Sequence, residues 1–389
     1  MSTTELVEVI GNGETSQVQF KEKLPHADSF AAELAAMSNA MGGLILIGVT
    51  DKTGDIVGLS QEELRRYGSL IANISTNNVY PVVYVTTEIV NVESRRVLVV
   101  HVDEGIDKPY KDNKGVIWTK AGADKRKVLS NAEIARLLQS SGTLLAEEAT
   151  IARTSVDDID IGFFYRFFEK EFEQPFEKSG LDLSQTLTNL SILNNGRLTM
   201  AGLLFFSKNP QQYRPIFHVK AVSFFGNEIA GRNYRNSKDI NGTVPELYER
   251  SMDFLTSNLK HTQQGQNFNS TGILEVSKVA LEEIVQNALV HRDYFKSAAI
   301  RILIFDDRVE IISPGRLPNS LSVEKIKYGN AVARNPLIAT FCSKTMPYRG
   351  LGSGVKRAVK EQPNIRFIND TEGEQFTAII PRPPEESPS

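Results

Sequence analysis

The chain has 389 residues, 44 lysines and arginines against 47 acidic residues, and a net charge of −3, which excludes a global basic field for nucleic acid and makes any basic surface local. One cysteine excludes an intramolecular disulfide and a thiolate zinc cage; Cys342 sits among apolar residues and reads as a core thiol. There is no apolar run of 18 residues and no charged-then-apolar leader, so a cytoplasmic protein of two or three domains, with no membrane partner, is expected.

From Glu14 the chain reads as a turn into a strand through Gln19-Phe20-Lys21. Asp28 and Ser29 offer an N-cap to a helix from Phe30, with Leu34, Met37 and Ser38 on one face, and Gly42 and Gly43 suit a left-handed helix end. The run 44–49 is short and wholly apolar, as in a buried strand. A turn over 51–55, a helix over 61–73, strands over 82–89, 97–102 and 116–122, and a helix from 131 to about 138 follow.

Glu14 with Gln19-Phe20-Lys21, then Asn39 to Gly43, then Gly48-Val49-Thr50-Asp51, resembles the Schlafen-type AlbA domain over about residues 8–140. The resemblance implies a DNA- or RNA-binding domain over 1–140. In nuclease relatives three acidic residues form the site, and by position they would be Glu14, Gln19 and Asp51. An amide at Gln19 removes one charge and one strong metal ligand, which favours binding without cleavage over a metal-dependent nuclease. Phosphate contacts are expected from Lys21, Lys120, Lys125, Arg126 and Lys127, the last three on an exposed basic loop, with Tyr110 and Trp118 available to stack on bases. The bland alternative is a solvated loop and a core tryptophan.

The middle, 150–235, is less informative. Asp157-Asp158-Ile159-Asp160 precedes an aromatic helix with Phe163, Phe164, Phe167 and Phe168, a second helix spans 184–190, and a turn at Asn194-Asn195-Gly196 leads to a third over 200–206. This reads as a small linking or winged-helix-like module, followed by a strand over 218–224. The end, 383–389, is rich in Pro, Glu and Ser and reads as a disordered tail.

In the last third, Glu283 and Asn287 stand four residues apart in the apolar helical run Leu281 to Leu289. Spacing i, i+4 puts them on one face, about 6 Å apart at Cβ. A polar pair at a packing face costs roughly 1–3 kcal/mol unless something satisfies it, and Mg²⁺ with its waters is one candidate. The alternative is that Glu283 pairs locally and Asn287 is merely exposed. A hairpin over 301–312, the loop Ser313-Pro314-Gly315, and a glycine turn at Gly350, Gly352 and Gly354 opening a helix follow in order.

This ordered set resembles the ATP-binding domain of the gyrase/Hsp90/histidine-kinase/MutL (GHKL) superfamily over about 236–382, in the divergent form of bacterial ATP-binding transcriptional regulators. The resemblance implies Glu283 as catalytic base, Asn287 as Mg²⁺ ligand, and Gly350, Gly352 and Gly354 as the second glycine box. Ser313 and Gly315 stand where an Asp-x-Gly element reads adenine, and Ser313 departs from that pattern. The segment Ala333-Arg334-Asn335-Pro336 resembles part of the lid. The expected fold is α+β: an AlbA-type domain, a mainly helical middle, and a GHKL-type α/β sandwich. The expected function is ATP-gated nucleic-acid binding by a homo-oligomer, in transcriptional control or defence against foreign nucleic acid. No helix-turn-helix follows the ATPase-like stretch, which weakens the transcription-factor reading. The alternatives are a Schlafen-like nuclease regulated by the ATPase, and an ATPase fold kept only as scaffold.

Overall fold

A computed structural model describes residues 1–383 except 52, 230–232, 263–271 and 319–320. Contacts divide the chain into two units, Met1–Leu144 and Leu145–Ser389. The expected tail lies outside the described residues from 384 onward.

The N-terminal unit contains α1 (Thr3–Gly11), β1 (Val18–Lys21), α2 (Ala27–Asn39), β2 (Gly43–Ile47), α3 (Gln61–Asn77), β3 (Val85–Val92), β4 (Arg95–Val102), β5 (Trp118–Ala121), β6 (Asp124–Lys127) and α4 (Asn131–Ser140). Its main sheet runs β1-β2-β4-β3, with β1 and β2 parallel and the other pairs antiparallel. The apolar run in β2 is explained by burial on both faces. Ile45 and Ile47 pack with Phe30 and Leu34 of α2 and Ile71 and Ile74 of α3, whereas Leu46 packs with Leu6 of α1 and Val97 and Val99 of β4. Capping boxes start two helices, Ser2 with Glu5 at α1 and Ser60 with Glu63 at α3. The expected cap at Asp28 and Ser29 is corrected. α2 starts three residues earlier, at Ala27 after His26, and Asp28 lies in its first turn, where a carboxylate meets the positive end of the helix dipole. Gly42 takes the expected left-handed conformation at φ 68°.

The C-terminal unit contains α5 (Ile161–Phe172), α6 (Leu183–Asn189), α7 (Met200–Phe206), β7 (Val219–Phe224), β8 (Tyr234–Ile240), α8 (Val244–Asn258), α9 (Lys278–Val290), β9 (Ile300–Ile304), β10 (Arg308–Pro314), α10 (Val323–Lys327), α11 (Pro336–Thr345), α12 (Gly354–Glu361), β11 (Arg366–Asp370) and β12 (Gln375–Pro381). A six-stranded sheet runs β8-β7-β9-β10-β12-β11, parallel only between β7 and β9. Strand alternation sends Ile302, Ile304, Val309 and Ile311 into one core with α8 and α9.

The expected separation of a linking module at 150–235 from an ATPase-like domain at 236–382 is corrected. Phe164, Phe167 and Phe206 belong to the same hydrophobic core as Leu281, Phe341 and Ile380. The ring of Phe341 lies 5.2 Å from that of Phe206 and 6.0 Å from that of Phe167. The aromatic stripe is core packing, worth about 0.5–1.5 kcal/mol per ring pair beyond the buried area. Among the described residues no helix is long and apolar enough to cross a membrane.

Candidate nucleotide and nucleic-acid sites

In the N-terminal unit two of the three expected acidic-site positions, Glu14 and Gln19, meet, and Asp51 is tied to neither by a hydrogen bond. Glu14 accepts a hydrogen bond from the Gln19 amide and one from the Phe20 backbone N–H at 2.7 Å. Asp51 pairs instead with Lys21 at 2.8 Å. Among the described residues no three His, Cys, Asp or Glu side chains are grouped to hold a metal ion.

The other end of the Gln19 amide, its oxygen, meets a lysine. Lys120, its side chain 1% exposed, donates to Gln19 Oε1 and to Glu33 Oε1, both at 2.8 Å. Lys125 donates to Glu33 Oε2 at 2.9 Å. Burial pushes the Glu33 carboxyl up, but Lys120 and Lys125 together outweigh it and hold the group below its ordinary value. Glu33 is a lone carboxylate in the apolar run Phe30 to Met37, a polar residue in a packing face as Glu283 is, but without an amide four residues on.

The basic residues are placed unequally. The stretch 123–127, read from sequence as an exposed loop, is instead mostly strand β6, paired in register with β5 across the turn at Gly122. Register puts Lys120 opposite Lys125, and both turn to Glu33. The expected phosphate contact at Lys120 is therefore corrected: its ammonium is inside the unit. Arg126 pairs with Glu133 while remaining half exposed, and Lys127 lies 5.6 Å from the Trp118 ring centre. Exposed pairs of that kind are worth only about 0–1 kcal/mol, so Arg126 and Lys127 can exchange them for phosphate. Tyr110 is buried, and the Trp118 indole donates to Asp112 at 2.8 Å, as core residues do.

In the C-terminal unit one cleft of about 280 Å³ is lined by Glu283, Asn287, Ser313, Gly315, Gly350, Gly352 and Gly354 together. Helix α9 brings the first two, the end of β10 the next two, and the turn into α12 the glycines. Gly350 and Gly352 have φ of 65° and 69°, open to glycine at little cost. Gly354 is glycine for another reason: a Cβ there would fall on the Glu283 carboxylate and 3.2 Å from Asn287 Nδ2. Asn287 Nδ2 donates to the Glu283 backbone carbonyl at 2.8 Å, which leaves Oδ1 out of that bond. Glu283 is buried and its carboxylate pairs with Arg357 of α12. Burial pushes its pKa up; Arg357 and Arg349 oppose this without cancelling it.

Ser313 lies in the cleft wall, yet its hydroxyl donates to the Ala288 carbonyl at 3.0 Å. The segment around Arg334 is an anchor as well as a wall. Asn335, 1% exposed, donates to the Val290 and Arg292 carbonyls at 2.8 Å each, and Arg334 donates to the His291 carbonyl at 3.2 Å. Reading 333–336 as lid misses that anchoring, because nothing in the spacing reveals which carbonyls the amide meets. Ile284, Ala288, Ile311, Phe376 and Ala378 make the rest of the wall apolar.

His291 lines the same cleft, and burial, aided by Arg334, depresses its pKa to about 4. Between pH 4 and 6.5 the unfolded state binds more protons than the folded one, so stability rises with pH and is complete above about 6.5. Stability of the C-terminal unit, read as hydrogen-exchange protection across α9, is expected to fall by roughly 2 kcal/mol from pH 7 to pH 5. His291→Gln should flatten that slope; an unchanged slope removes His291 as its source.

Residues 14–129 match the family model of Schlafen, AlbA_2, and residues 297–379 match the model described as "Putative ATP-dependent DNA helicase recG C-terminal". The chain thus carries an N-terminal Schlafen AlbA_2 domain and a C-terminal recG-like ATPase-type domain. The second match takes in Ser313, Gly315 and the glycine turn, and starts after Glu283 and Asn287. Among solved structures, the DIP2311 protein from Corynebacterium diphtheriae is 21% identical, with a TM-score of 0.48, over 98% of this chain and 80% of that one. The N-terminal domain of a RecG-related protein from Nitrosomonas europaea is 21% identical, with a TM-score of 0.24, over 34% of this chain and 96% of that one. No curated protein matches. The two family descriptions point to an ATP-linked, nucleic-acid-related function.

Proposed function

We propose that the chain is an ATP-gated nucleic-acid-binding protein. The C-terminal cleft takes ATP with Mg²⁺, and its occupancy sets how the AlbA_2 domain grips DNA or RNA, in transcriptional control or defence against foreign nucleic acid. The observation that carries this reading is the meeting of Glu283, Asn287, Gly315 and the three glycines of the α12 turn in one cleft.

The cleft has two chemical ends. Its apolar wall suits a flat base, and its glycine turn offers backbone N–H groups at a helix start, where phosphate oxygens bind. Mg²⁺ commonly binds through one or two protein oxygens plus phosphates and waters, and when bound it neutralises phosphate charge. Asn287 fits that role, because its Nδ2 tie to the Glu283 carbonyl holds the amide and leaves Oδ1 for the ion. Glu283, four residues earlier on the same helix, would take the proton of a water at its carboxylate. Ser313 commits its proton to Ala288, so recognition of the base falls to the apolar wall.

Calorimetry of ATP binding with and without Mg²⁺, paired with mobility shifts of duplex DNA and structured RNA with and without ATP, tests the reading. The wild type should bind ATP in an Mg²⁺-dependent way and change its nucleic-acid affinity when ATP is present. Asn287→Ala should weaken Mg²⁺-dependent binding 10- to 100-fold, the usual effect of losing one ligand or its support. A wild type that binds no ATP overturns the proposal.

A further inference from the structure

We infer that Arg357 is the residue that reads the phosphate end of the ligand, and that Glu283 competes with the ligand for it. The inference rests on the nucleotide reading of the cleft.

Arg357 lies three residues beyond Gly354, one turn into α12, and lines the cleft with the glycine turn. Its guanidinium pairs with the Glu283 carboxylate. The pairing is incomplete, since Arg357 Nε is buried and makes no hydrogen bond among the described residues. A guanidinium presents a planar fork of five donors that suits carboxylate and phosphate equally well in geometry. One fork therefore faces two claimants: a carboxylate already in the cleft, and the outermost phosphate of a ligand seated on the glycine turn.

Three other charges bear on the pair. Arg349 favours the ionised Glu283, and Glu282 opposes it. Arg334 is held by the His291 and Arg316 carbonyls, and among the described residues Arg357 is the cation in ion-pair contact with Glu283. In the free protein the carboxylate and Arg357 neutralise each other. A ligand long enough to reach Arg357 must displace Glu283, and a shorter one leaves the pair intact. The cleft thus distinguishes a triphosphate from a diphosphate by competition inside the protein.

The test is a double-mutant cycle on the full chain, with ATP, ADP and inorganic triphosphate titrated calorimetrically into wild type, Glu283→Gln, Arg357→Gln and the double variant. Arg357→Gln should weaken ATP binding roughly tenfold, the scale of one charge-assisted hydrogen bond, and remove the preference for ATP over ADP. Glu283→Gln should tighten ATP binding several-fold when Arg357 is present, by releasing the fork, and have no effect when Arg357 is absent. Tightening of equal size in both backgrounds would mean simple repulsion between Glu283 and phosphate, and would overturn the inference. So would an unchanged ATP-to-ADP ratio in Arg357→Gln with unaltered circular dichroism. Inorganic triphosphate separates the two readings: if it shows the cycle while ATP does not bind, Arg357 keeps its role and the nucleotide assignment fails.

Discussion

Replacing Glu33 with Gln is expected to destabilise the N-terminal unit by roughly 3–5 kcal/mol, the usual effect of removing one partner from a buried ion pair. Lys120 is the reason. Its side chain is 1% exposed, and without Glu33 its remaining hydrogen-bond partners among the described residues are the neutral Gln19 and Ala123 carbonyl oxygens. Lys125 does not carry the same risk, because at 24% exposure it reaches water. Trp118, the chain's single tryptophan, lies on the strand that carries Lys120, so its fluorescence reports unfolding of this unit. Glu33→Gln combined with Lys120→Met should recover most of the loss, because no buried charge is then left unpaired. A single variant as stable as wild type would show that Lys120 reaches solvent. The pH dependence follows from the depressed Glu33 pKa. Its contribution is present above the unfolded carboxylate pKa of about 4.3 and is lost as pH falls through the lower folded value.

The second large effect is expected at Glu147. This fully buried carboxylate accepts the Leu337 and Ile338 backbone N–H groups at 2.8 and 2.7 Å and so caps α11 from almost two hundred residues away in sequence. Glu147→Ala strands two donors, one buried and one partly buried, and should cost about 3 kcal/mol. Burial raises the Glu147 pKa further than the two N–H groups lower it, so the capping does not recover the whole cost of burying a charge. Hydrogen exchange should locate the damage in α11 and at Arg334 and Asn335, which precede it. Uniform loss of protection across the C-terminal unit would instead mean that Glu147 supports the whole core.

The ends of α7 and the hairpin of β9 and β10 were legible because capping residues and turn chemistry act over a few residues. The cleft was legible too: α9, the end of β10 and the glycine turn carry compact signals in the order in which the fold assembles them. Pairings between distant positions left no such trace. Nothing in the run Ala123 to Lys127 announces that Lys125 turns inward to Glu33, because that depends on the register of β6 against β5. Arg357 was visible in the glycine-rich segment, but its role needs the Glu283 contact. Glu33 was visible as a lone carboxylate in an apolar helical run, without the i, i+4 amide that marked Glu283.

The continuous core of the C-terminal unit limits how this protein can be rearranged over generations. The recognisable recG-like stretch begins at residue 297, yet β7 lies between β8 and β9 inside the same sheet, and Phe206 packs against Phe341. A gene fragment starting at residue 236 would leave β9 as an unpaired, apolar edge, which is a template for aggregation. A segment moved intact would therefore have to begin near Leu145, because the elements from there to β12 share one core.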